Sequence, residues 1–520
     1  MSGTKVLVSL WTSLLVVVVG SMPACAGEQG EFLSIKSLSC YEIVPLPSGE
    51  WITTSEIGTP IVKYSYNLEV LWEWDAVQGG YLDICALSDG SCVMTGQFSG
   101  EIDFGSGITL GPVPSFPPEG FIAKLSPEGQ TEWARIIPHG IEESITVAAG
   151  ADDTVFVAGG FVGEMTLGEG TEGAVTLTAQ GIENPEGQAP GPENLFLARF
   201  DAAGNVLWAR SDGGPGSARA KGVSGLPGGG CVLIGSMWNE DVTFGRGEPT
   251  ETLLPLEDES GAFMAAYAPD GSFLHVACQE VSARAMSFWE DGAVVLGSKL
   301  GTQIRVWKYR ADGTLDWSLT AADGAMSYYE CCVQAVADGS VLLAGSFNES
   351  IVLAPGTPEE VSVTIPGSRY LFLARYSDEG VFEWVRLAGG AQTTDMWVRD
   401  VAVAEREGVY IALVAGSFGG GATFGAGEPN ETTFTQASPF IAEFALGDIP
   451  SEGEGEGEGE GEGEGEGEGE GEGEGEGAVC FVGRLAPPAA GSFRHGAGDI
   501  LLFTLALAAL YRRRRLTHNL

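Results

Sequence analysis

The chain repeats a short pattern in which apolar and polar residues alternate. At residues 121–135, the sequence FIAKLSPEGQTEWAR has an apolar strand, a turn at Glu128-Gly129 and a second strand that contains a tryptophan. Alternation with a period of two, broken by a glycine turn, predicts a β-hairpin. The first strand of this hairpin occurs seven times, beginning at residues 61, 121, 196, 263, 305, 372 and 440.

A tryptophan follows most copies of this strand at one fixed distance. Eight residues after the last residue of the strand, one copy has His275 and the others have Trp72, Trp133, Trp208, Trp317 and Trp384. Because a sheet in a repeat array has two apolar faces to cover, we expect these indoles to pack between neighbouring sheets. The alternative is that the indole rings stack on a ligand.

A second hairpin pattern, with an apolar strand on each side of a glycine turn, also occurs seven times, beginning at residues 43, 84, 147, 223, 285, 333 and 401. Together the two patterns predict four antiparallel strands per repeat. Seven such repeats over residues 39–446 predict an all-β fold, a seven-bladed β-propeller. The second pattern begins the domain at residue 43 and the first ends it at residue 440. We therefore expect these N- and C-terminal strands to pair and close the propeller.

Five repeats carry an extra segment with Phe and Gly at fixed offsets, beginning at residues 96, 159, 235, 345 and 416. We expect in each a strand that leaves the sheet and turns back. These segments and the tryptophan hairpins together resemble the seven-bladed propeller repeats of large exported bacterial proteins. The resemblance implies a surface or secreted protein and carries over no catalytic residue.

The first 26 residues have the composition of a secretory signal peptide. Lys5 precedes an apolar stretch over residues 6–20, and Ala24 and Ala26 flank Cys25 in an A-x-A cleavage site. This arrangement predicts export and a mature chain that begins at Gly27. In the alternative interpretation, Cys25 is the acylated cysteine of a lipoprotein.

The C-terminal part has three segments in a fixed order. Residues 452–477 alternate Glu and Gly, which predicts a disordered, solvated linker. Residues 478–520 contain Cys480, an apolar run at 500–511 and then four arginines. Twelve helical residues span about 18 Å, whereas a bilayer core needs about 30 Å. We therefore expect a short hydrophobic helix that contacts the membrane at least transiently.

This order of segments resembles the C-terminal sorting tails of exported bacterial proteins, the myxobacterial Cys-type tails in particular. The resemblance implies processing at Cys480 and display on the outer surface. About twenty residues separate Cys480 from the apolar run, a wider gap than the family leads us to expect. The alternative is a simple transmembrane anchor whose arginines stay inside.

Charge and cysteine content constrain the partners and the oxidation state. The net charge of -45 disfavours nucleic acid as a partner, because such a surface repels phosphate. Cys85 and Cys92 flank one predicted hairpin turn and could form a disulfide in an exported protein. Cys331 and Cys332 could pair with each other or with other cysteines. The alternative is that some thiols stay buried and reduced.

An enzymatic function has one signal in the sequence. The phrase FDAAGNVLWAR, with Asp201, Gly204 and Trp208, resembles the tryptophan-docking repeat of quinoprotein dehydrogenases, and the Cys331-Cys332 pair resembles the vicinal disulfide of some of them. Those enzymes usually have eight blades, and we identify no calcium ligand set here. Acidic pairs such as Asp152-Asp153 and Glu142-Glu143 could hold calcium, although solvated loop charges explain them as well.

These observations lead to one expectation with two alternatives. We expect an exported, surface-displayed propeller, monomeric in its body, that acts as a non-catalytic binding or adhesion module for a protein or glycan. We assign no catalytic, cofactor or metal residue. The loop over residues 168–194, rich in Gly, Pro and Glu, is the one we expect to differ in purpose from its neighbours. The alternatives are a quinone-dependent or other propeller enzyme and a purely structural envelope protein.

Overall fold

The computed structural model describes residues 30–36, 42–54, 60–65, 69–74, 83–114, 118–138, 145–171, 173–180, 192–256, 260–279, 285–289, 291–326, 331–365, 369–390, 393–406 and 409–447. These residues form 37 β-strands and no helix, so the expectation of an all-β fold is confirmed. Within the same ranges no helix is long and apolar enough to cross a membrane. The predicted signal peptide, linker and sorting tail lie outside the described residues.

Most strands form seven antiparallel groups of four, which we call sheets 1 to 7. Each of the first four sheets combines a strand pair of the second pattern with a strand pair of the tryptophan hairpin. Sheet 1 contains β2 (Glu42–Pro45), β3 (Trp51–Thr54), β4 (Ile61–Tyr64) and β5 (Val70–Trp74). Sheet 2 contains β6 (Asp83–Ala86), β7 (Cys92–Phe98), β10 (Glu119–Leu125) and β11 (Thr131–Ile137). Sheet 3 contains β12 (Thr146–Ala149), β13 (Val155–Phe161), β16 (Asn194–Phe200) and β17 (Val206–Asp212). Sheet 4 contains β18 (Ser217–Gly225), β19 (Cys231–Trp238), β22 (Ser260–Tyr267) and β23 (Phe273–Gln279).

The last three sheets follow the same order, except that an N-terminal strand completes sheet 7. Sheet 5 contains β24 (Ala285–Phe288), β25 (Val294–Leu300), β26 (Gln303–Tyr309) and β27 (Leu315–Met326). Sheet 6 contains β28 (Cys332–Ala335), β29 (Val341–Leu353), β31 (Tyr370–Tyr376) and β32 (Phe382–Gly389). Sheet 7 contains β33 (Thr393–Arg406), β34 (Val409–Gly420), β37 (Ser438–Gly447) and β1 (Phe32–Lys36). Pairing between β27 and β29 also joins sheets 5 and 6.

Sheet 7 differs from the predicted pairing of the chain ends. The strand at residue 43 does not pair with the strand at 440, because it belongs to a complete sheet 1. The strand that pairs with β37 is β1, in which Phe32 lies opposite Phe444 and Lys36 lies opposite Ile441. Strands from the two chain regions therefore do share a sheet, but the N-terminal one precedes residue 39, where we placed the start of the domain.

The five extra segments form hairpins, as predicted, and we call them inserts. They belong to sheets 2, 3, 4, 6 and 7 and contain β8 (Gly100–Asp103) with β9 (Thr109–Val113), β14 (Glu164–Leu167) with β15 (Val175–Thr178), β20 (Val242–Phe244) with β21 (Thr252–Leu254), the end of β29 with β30 (Val361–Thr364), and β35 (Ala422–Phe424) with β36 (Thr432–Phe434).

The two ends of each sheet differ in their loops. The glycine turns from the first to the second strand and from the third to the fourth strand lie at one end, which we call the turn end. The inserts follow the second strand and lie at the other end, which we call the insert end. Gly30 N–H donates to the carbonyl oxygen of Ala445 at 2.6 Å, so the first described residues meet the end of β37 at the turn end of sheet 7.

Hydrophobic side chains fill the space between consecutive sheets. Each pair of consecutive sheets shares one buried cluster, and a further cluster joins sheet 7 to sheet 1 through residues such as Ile43, Trp51, Leu413 and Ile441. A sheet that is apolar on both faces needs a neighbour on each side to remove these surfaces from water. The core therefore lies between the sheets.

The inserts close the outer part of these clusters with one buried apolar residue each: Phe104, Leu167, Phe244, Leu353 and Phe424, none more than 2% exposed. The ring of Phe104 contacts Phe121 of its own sheet, at 5.1 Å between centroids, and Trp74 of the preceding sheet, at 5.9 Å. In the insert of sheet 4, Gly245 follows Phe244 and has φ of +63°, and a Cβ atom there would lie 2.4 Å from the ring of Phe273.

Candidate functional site

The five repeated tryptophans lie between sheets, and four of them hydrogen-bond the next sheet. The indole N–H of Trp72 donates to the carbonyl oxygen of Pro127 at 2.8 Å, and Trp133, Trp208 and Trp317 donate to Ala202, Pro269 and Asp378 at 3.0, 3.0 and 2.7 Å. In each case the acceptor lies two residues before the turn glycine of the next sheet. These contacts favour the structural interpretation of the tryptophans.

The contact between each tryptophan and the turn of the next sheet also requires a glycine in that turn. Gly129 has φ of +79°, and a Cβ atom there would lie 2.7 Å from the ring of Trp72. Gly204 and Gly271 have the same relation to Trp133 and Trp208. Any side chain at these positions would displace the indole and would also strain the backbone.

Removing a single indole N–H tests the strength of this contact. Trp208→Phe keeps a ring against Gly271 but loses the hydrogen bond to Pro269, so we expect a loss of about 1 kcal/mol in the free energy of unfolding. Trp384→Phe is the matched control, because the Trp384 N–H is buried without an acceptor. Urea unfolding of both variants measures the difference. An equal loss in the two variants would contradict the role of the hydrogen bond.

The predicted disulfide between Cys85 and Cys92 does not fit the register. Cys85 lies opposite Val93, and Cys92 lies opposite Ala86. Neighbouring positions on paired strands point to opposite faces, so Cys85 packs between sheets 2 and 3 and Cys92 packs between sheets 1 and 2. Both thiols are free and buried, and burial raises the pKa of Cys92 to about 12. The prediction is wrong because it placed the two strands one residue out of register.

The side chains of Cys331 and Cys332 also lie on opposite sides of sheet 6. Cys331 packs in the cluster between sheets 5 and 6, and Cys332 packs in the cluster between sheets 6 and 7. The Cys332 thiol donates to the carbonyl oxygen of Arg399 at 3.4 Å, and neither cysteine is part of a disulfide. The predicted vicinal disulfide is therefore not formed. Ala24, Ala26 and Cys480 lie outside the described residues.

The carboxylates of Asp152 and Asp153 form hydrogen bonds with other side chains and N–H groups of the protein. Arg199 donates to both carboxylate oxygens of Asp152, at 2.8 and 3.0 Å, and Ser88 of sheet 2 donates to Asp153 through its N–H and hydroxyl. Burial opposes ionisation, but hydrogen bonds from Thr154 and Arg199 hold the pKa of Asp152 below its usual value. Across the described ranges, no three His, Cys, Asp or Glu side chains are placed to hold a metal ion. Glu142 and Glu143 lie outside those ranges.

A buried ion pair lies at the insert end, between sheets 3 and 4. The Arg219 guanidinium donates through Nε and Nη2 to the two carboxylate oxygens of Glu193, and it lies 5.3 Å from the ring of Trp238. Burial raises the pKa of Glu193 and lowers that of Arg219, whereas the two hydrogen bonds between them favour the charged pair. Lys221 follows on the same first strand, and burial lowers its pKa too.

The ion pair lies next to the loop that we expected to be distinctive. Asn194 ties the two sides of this loop together: its side-chain oxygen accepts from Gln180 N–H at 2.6 Å, and its side-chain nitrogen donates to the Gln180 carbonyl at 2.9 Å. Glu193 N–H donates to the Ser217 hydroxyl at 3.2 Å. The base of the loop is therefore fixed to the first strand of sheet 4, whereas residues 181–191 lie outside the described residues.

The corresponding position between sheets 6 and 7 holds an arginine-tryptophan group. The guanidinium carbons of Arg369 and Arg399 lie 4.9 and 5.9 Å from the Trp397 ring. Arg369 donates to Asn348 at 3.2 Å and lies 4.0 Å from the Asp395 carboxylate. All three members of the Arg–Trp group are only half-buried. Guanidinium donors beside an indole surface can hold a carboxylate or hydroxyl group and an apolar ring together.

Sequence patterns alone do not reveal these two groups. Arg219 and Trp397 occupy equivalent places, four residues before the first residue of the second pattern at 223 and 401. Both strands contain an irregularity there, between Ala220 and Gly222 and between Val398 and Asp400. A bulge breaks the period of two that the pattern analysis relies on. Two residues before each pattern, Lys221 and Arg399 are both basic, so a comparison of charges at equal offsets would have pointed to this end of the two strands.

A cleft of about 480 Å³ opens at the turn end, between sheets 5 and 6. Its acidic lining is already engaged by neighbouring groups: Lys308 pairs with Asp378, Arg310 pairs with Asp316, and Thr314 donates to Asp312. These pairings favour a structural role for this cleft, so the insert end remains the stronger candidate.

Comparison with known proteins adds little to this description. No family model and no curated protein matches the chain. Among solved structures, quinohemoprotein alcohol dehydrogenase from Comamonas testosteroni is 9% identical, with 82% of this chain and 78% of that chain covered and a TM-score of 0.38. Polysaccharide lyase Uly1 is 10% identical, with 84% and 94% covered and a TM-score of 0.36. A Bacteroides caccae protein of unknown function is 12% identical, with 54% and 81% covered and a TM-score of 0.29. Likenesses this weak carry no argument about activity.

Proposed function

We propose that the seven sheets are the blades of a seven-bladed β-propeller, with β1 completing the last blade. Two observations support this architecture: each of the seven groups has four antiparallel strands, and sheets 7 and 1 share a buried cluster as other consecutive sheets do. The Ile43 N–H also donates to the Asp400 carboxylate across this boundary, at 2.8 Å. A closed array leaves no unpaired sheet face at either end.

We further propose that the protein is exported, displayed on a bacterial cell surface and active as a non-catalytic binding or adhesion module. The ligand is a protein or glycan, the body is monomeric, and the C-terminal segment contacts the membrane at least transiently. The observation that carries this proposal is the placement of the chain ends. Gly30 and Gly447 both lie at the turn end of sheet 7, and the segment that we expect to contact the membrane follows Gly447 in the sequence.

This placement assigns the insert end to the ligand. The insert end is the end of sheet 7 that lies farther from the described chain ends. The two groups at the insert end, around Trp238 and around Trp397, bring arginines and half-buried indoles to a protein that is otherwise strongly acidic. A ligand with carboxylate or hydroxyl groups and an apolar face matches these side chains.

Binding by matched arginine variants tests the assignment. The full exported protein is screened against glycans and surface proteins, and the affinity of each hit is measured for Arg399→Ala and for Arg310→Ala. Arg310 is the control because it is exposed and lies at the turn end, paired with Asp316. We expect Arg399→Ala to weaken binding roughly tenfold or more, the usual effect of removing a hydrogen bond to a charged group, and Arg310→Ala to leave it unchanged.

Three results would contradict the proposal. Equal losses in both variants would remove the insert end as the binding surface. A bound quinone in native mass spectrometry, with a matching absorption band, would favour the dehydrogenase alternative that the FDAAGNVLWAR phrase suggests. The same measurement before and after calcium chelation tests whether a calcium ion is present. Saturable binding to none of the screened ligands, with no cofactor, would favour the purely structural alternative.

A further inference from the structure

The boundary between two consecutive sheets, which we call a seam, is usually held by three devices. The first is a tryptophan on the fourth strand of one sheet, which contacts the turn glycine of the next. The second is a basic residue opposite that tryptophan on the third strand: Lys63, Lys124, Arg199, Lys308 or Arg375. The third is the buried apolar residue of the next sheet's insert.

The basic residues strengthen the contact with the turn of the next sheet. Lys63 donates to the same Pro127 carbonyl as Trp72, at 3.3 Å, and Arg199 donates to the same Pro269 carbonyl as Trp208, at 2.9 Å. The Arg375 guanidinium donates to the Leu446 carbonyl at 3.1 Å. In the first two of these seams, two side-chain donors of one sheet therefore share a single turn carbonyl of the next.

The seam between sheets 4 and 5 lacks all three devices. His275 stands in place of the tryptophan, and the residue opposite it is Ala266. Sheet 5 has no insert, so no apolar residue closes the outer part of this seam. Among the described residues, its cluster has 10 buried hydrophobic members, whereas the five seams with an insert have 16 to 22. The seam between sheets 7 and 1 has 9 and also lacks all three devices, with Ser34 and Glu443 at the tryptophan and basic positions, but it has no histidine there that could titrate.

His275 occupies the indole position without forming the indole's hydrogen bond. Its Nε2 atom is buried, has no hydrogen-bond partner, and lies 2.9 Å from the place where a Cβ atom on Gly313 would be. On its own sheet, the facing residues Ala266 and Met264 carry no charge. On sheet 5, the charged groups in the facing turn are Asp312 and Arg310. Asp312 accepts from Thr314 at 2.6 Å, and Arg310 pairs with Asp316.

We propose that the seam between sheets 4 and 5 is an acid-sensitive opening point of the fold, released when His275 becomes protonated. Protonation places a positive charge at a half-buried position whose Nε2 atom has no hydrogen-bond acceptor among the described residues. The seam has too few other contacts to compensate, because it lacks the indole, the basic residue and the insert. Sheets 4 and 5 can then separate at this seam while the seams with a tryptophan stay closed.

The sign of the pH dependence follows from the surroundings of His275. Burial lowers the pKa of His275 in the folded protein, and the nearby Asp312 carboxylate opposes this only in part. The unfolded chain therefore binds more protons than the folded chain as the pH falls below the usual histidine value near 6.5. The stability from neutral His275 is present above that value and is lost as the pH falls through the lower folded-state pKa.

Hydrogen exchange measured by mass spectrometry tests the proposal. The exported protein is compared at about pH 7.5 and about pH 5, on either side of the usual histidine pKa, with rates corrected for intrinsic exchange. We expect peptides from β23, β26 and the turn at Asp312 to lose protection at the lower pH. Peptides from β16 and β17 report on the neighbouring seam of Trp208, which should keep its protection.

Three variants test whether protonation of His275, rather than another effect of pH, causes the loss of protection. His275→Gln has no titrating group, and His275→Trp can donate to the Ala311 carbonyl, two residues before Gly313. Both should abolish the acid-dependent loss of protection. Trp208→His should create a similar loss in the seam between sheets 3 and 4. The proposal fails if the loss persists in His275→Gln, if all wild-type seams lose protection together, or if Trp208→His gains no pH dependence.

Discussion

Replacing Phe32 by alanine should lower the free energy of unfolding by about 3–5 kcal/mol, the usual cost of truncating a fully buried phenylalanine. Phe32 is 1% exposed, and its ring lies 6.1 Å from Phe424 and 5.8 Å from Phe444 between ring centroids. Its side chain packs in the buried cluster between sheets 6 and 7, so it joins the N-terminal strand to the core. Denaturant unfolding followed by tryptophan fluorescence measures the loss.

Phe434→Ala is the matched control for this prediction. Phe434 belongs to the insert of the same sheet and lies 5.5 Å from Phe418, but it is only partly buried. Its truncation should therefore cost clearly less. A loss below about 1 kcal/mol for Phe32→Ala would be close to the usual effect of a surface substitution. It would mean that β1 contributes little to sheet 7.

The sheets could be predicted because their signals are local. Each hairpin brings its alternating strands and its glycine turn within about fifteen residues, as in the stretch at 121–135. The fixed distance from each third strand to its tryptophan also held, since Trp133 lies opposite Lys124 and Trp208 lies opposite Arg199. A pattern that repeats in register can be recognised even where one copy has lost its tryptophan.

Strand β1 could not be predicted in the same way. Its partner β37 lies about 400 residues later, and no glycine turn joins the two strands. The position that holds tryptophan in other sheets is Ser34, which lies opposite Glu443 and donates to its carboxylate at 2.5 Å. Both residues of the usual basic–tryptophan pair have changed, so the repeat pattern does not extend to this strand.

The cysteine predictions failed for a related reason. Whether two cysteines can meet across a hairpin depends on a single residue of register, and a one-residue shift turns a side chain to the opposite face. The turn between Cys85 and Cys92 is longer by one residue than a direct pairing of the two would require. Turn length, rather than cysteine spacing, decided the outcome.

The candidate site depends on contacts between sheets, which no local pattern encodes. Glu193 precedes the third strand of sheet 3, whereas Arg219 lies on the first strand of sheet 4. The sequence contains many acidic residues, and nothing in it distinguishes Glu193 from those that remain in solvent. Only the packing of the two sheets shows that this carboxylate is buried beside a guanidinium.

Glu193→Ala should therefore be the second strongly destabilising substitution, with a loss of about 3–5 kcal/mol, because it leaves the Arg219 guanidinium buried without its counter-charge. Glu193 and Arg219 are 7% and 9% exposed. Asp316→Ala is the control, since it breaks the exposed Arg310–Asp316 pair and should cost at most about 1 kcal/mol. Unfolding in denaturant measures both.

The double variant Glu193→Leu with Arg219→Met identifies the source of that loss. Apolar residues of similar volume remove both charges, so we expect it to recover most of the stability that Glu193→Ala loses. Recovery would mean that the ion pair is not needed for the fold, and that its retention at the insert end, beside Trp238, serves the loop or a ligand. If the double variant is as unstable as Glu193→Ala, the pair itself holds sheets 3 and 4 together, and the insert end between them is a structural joint.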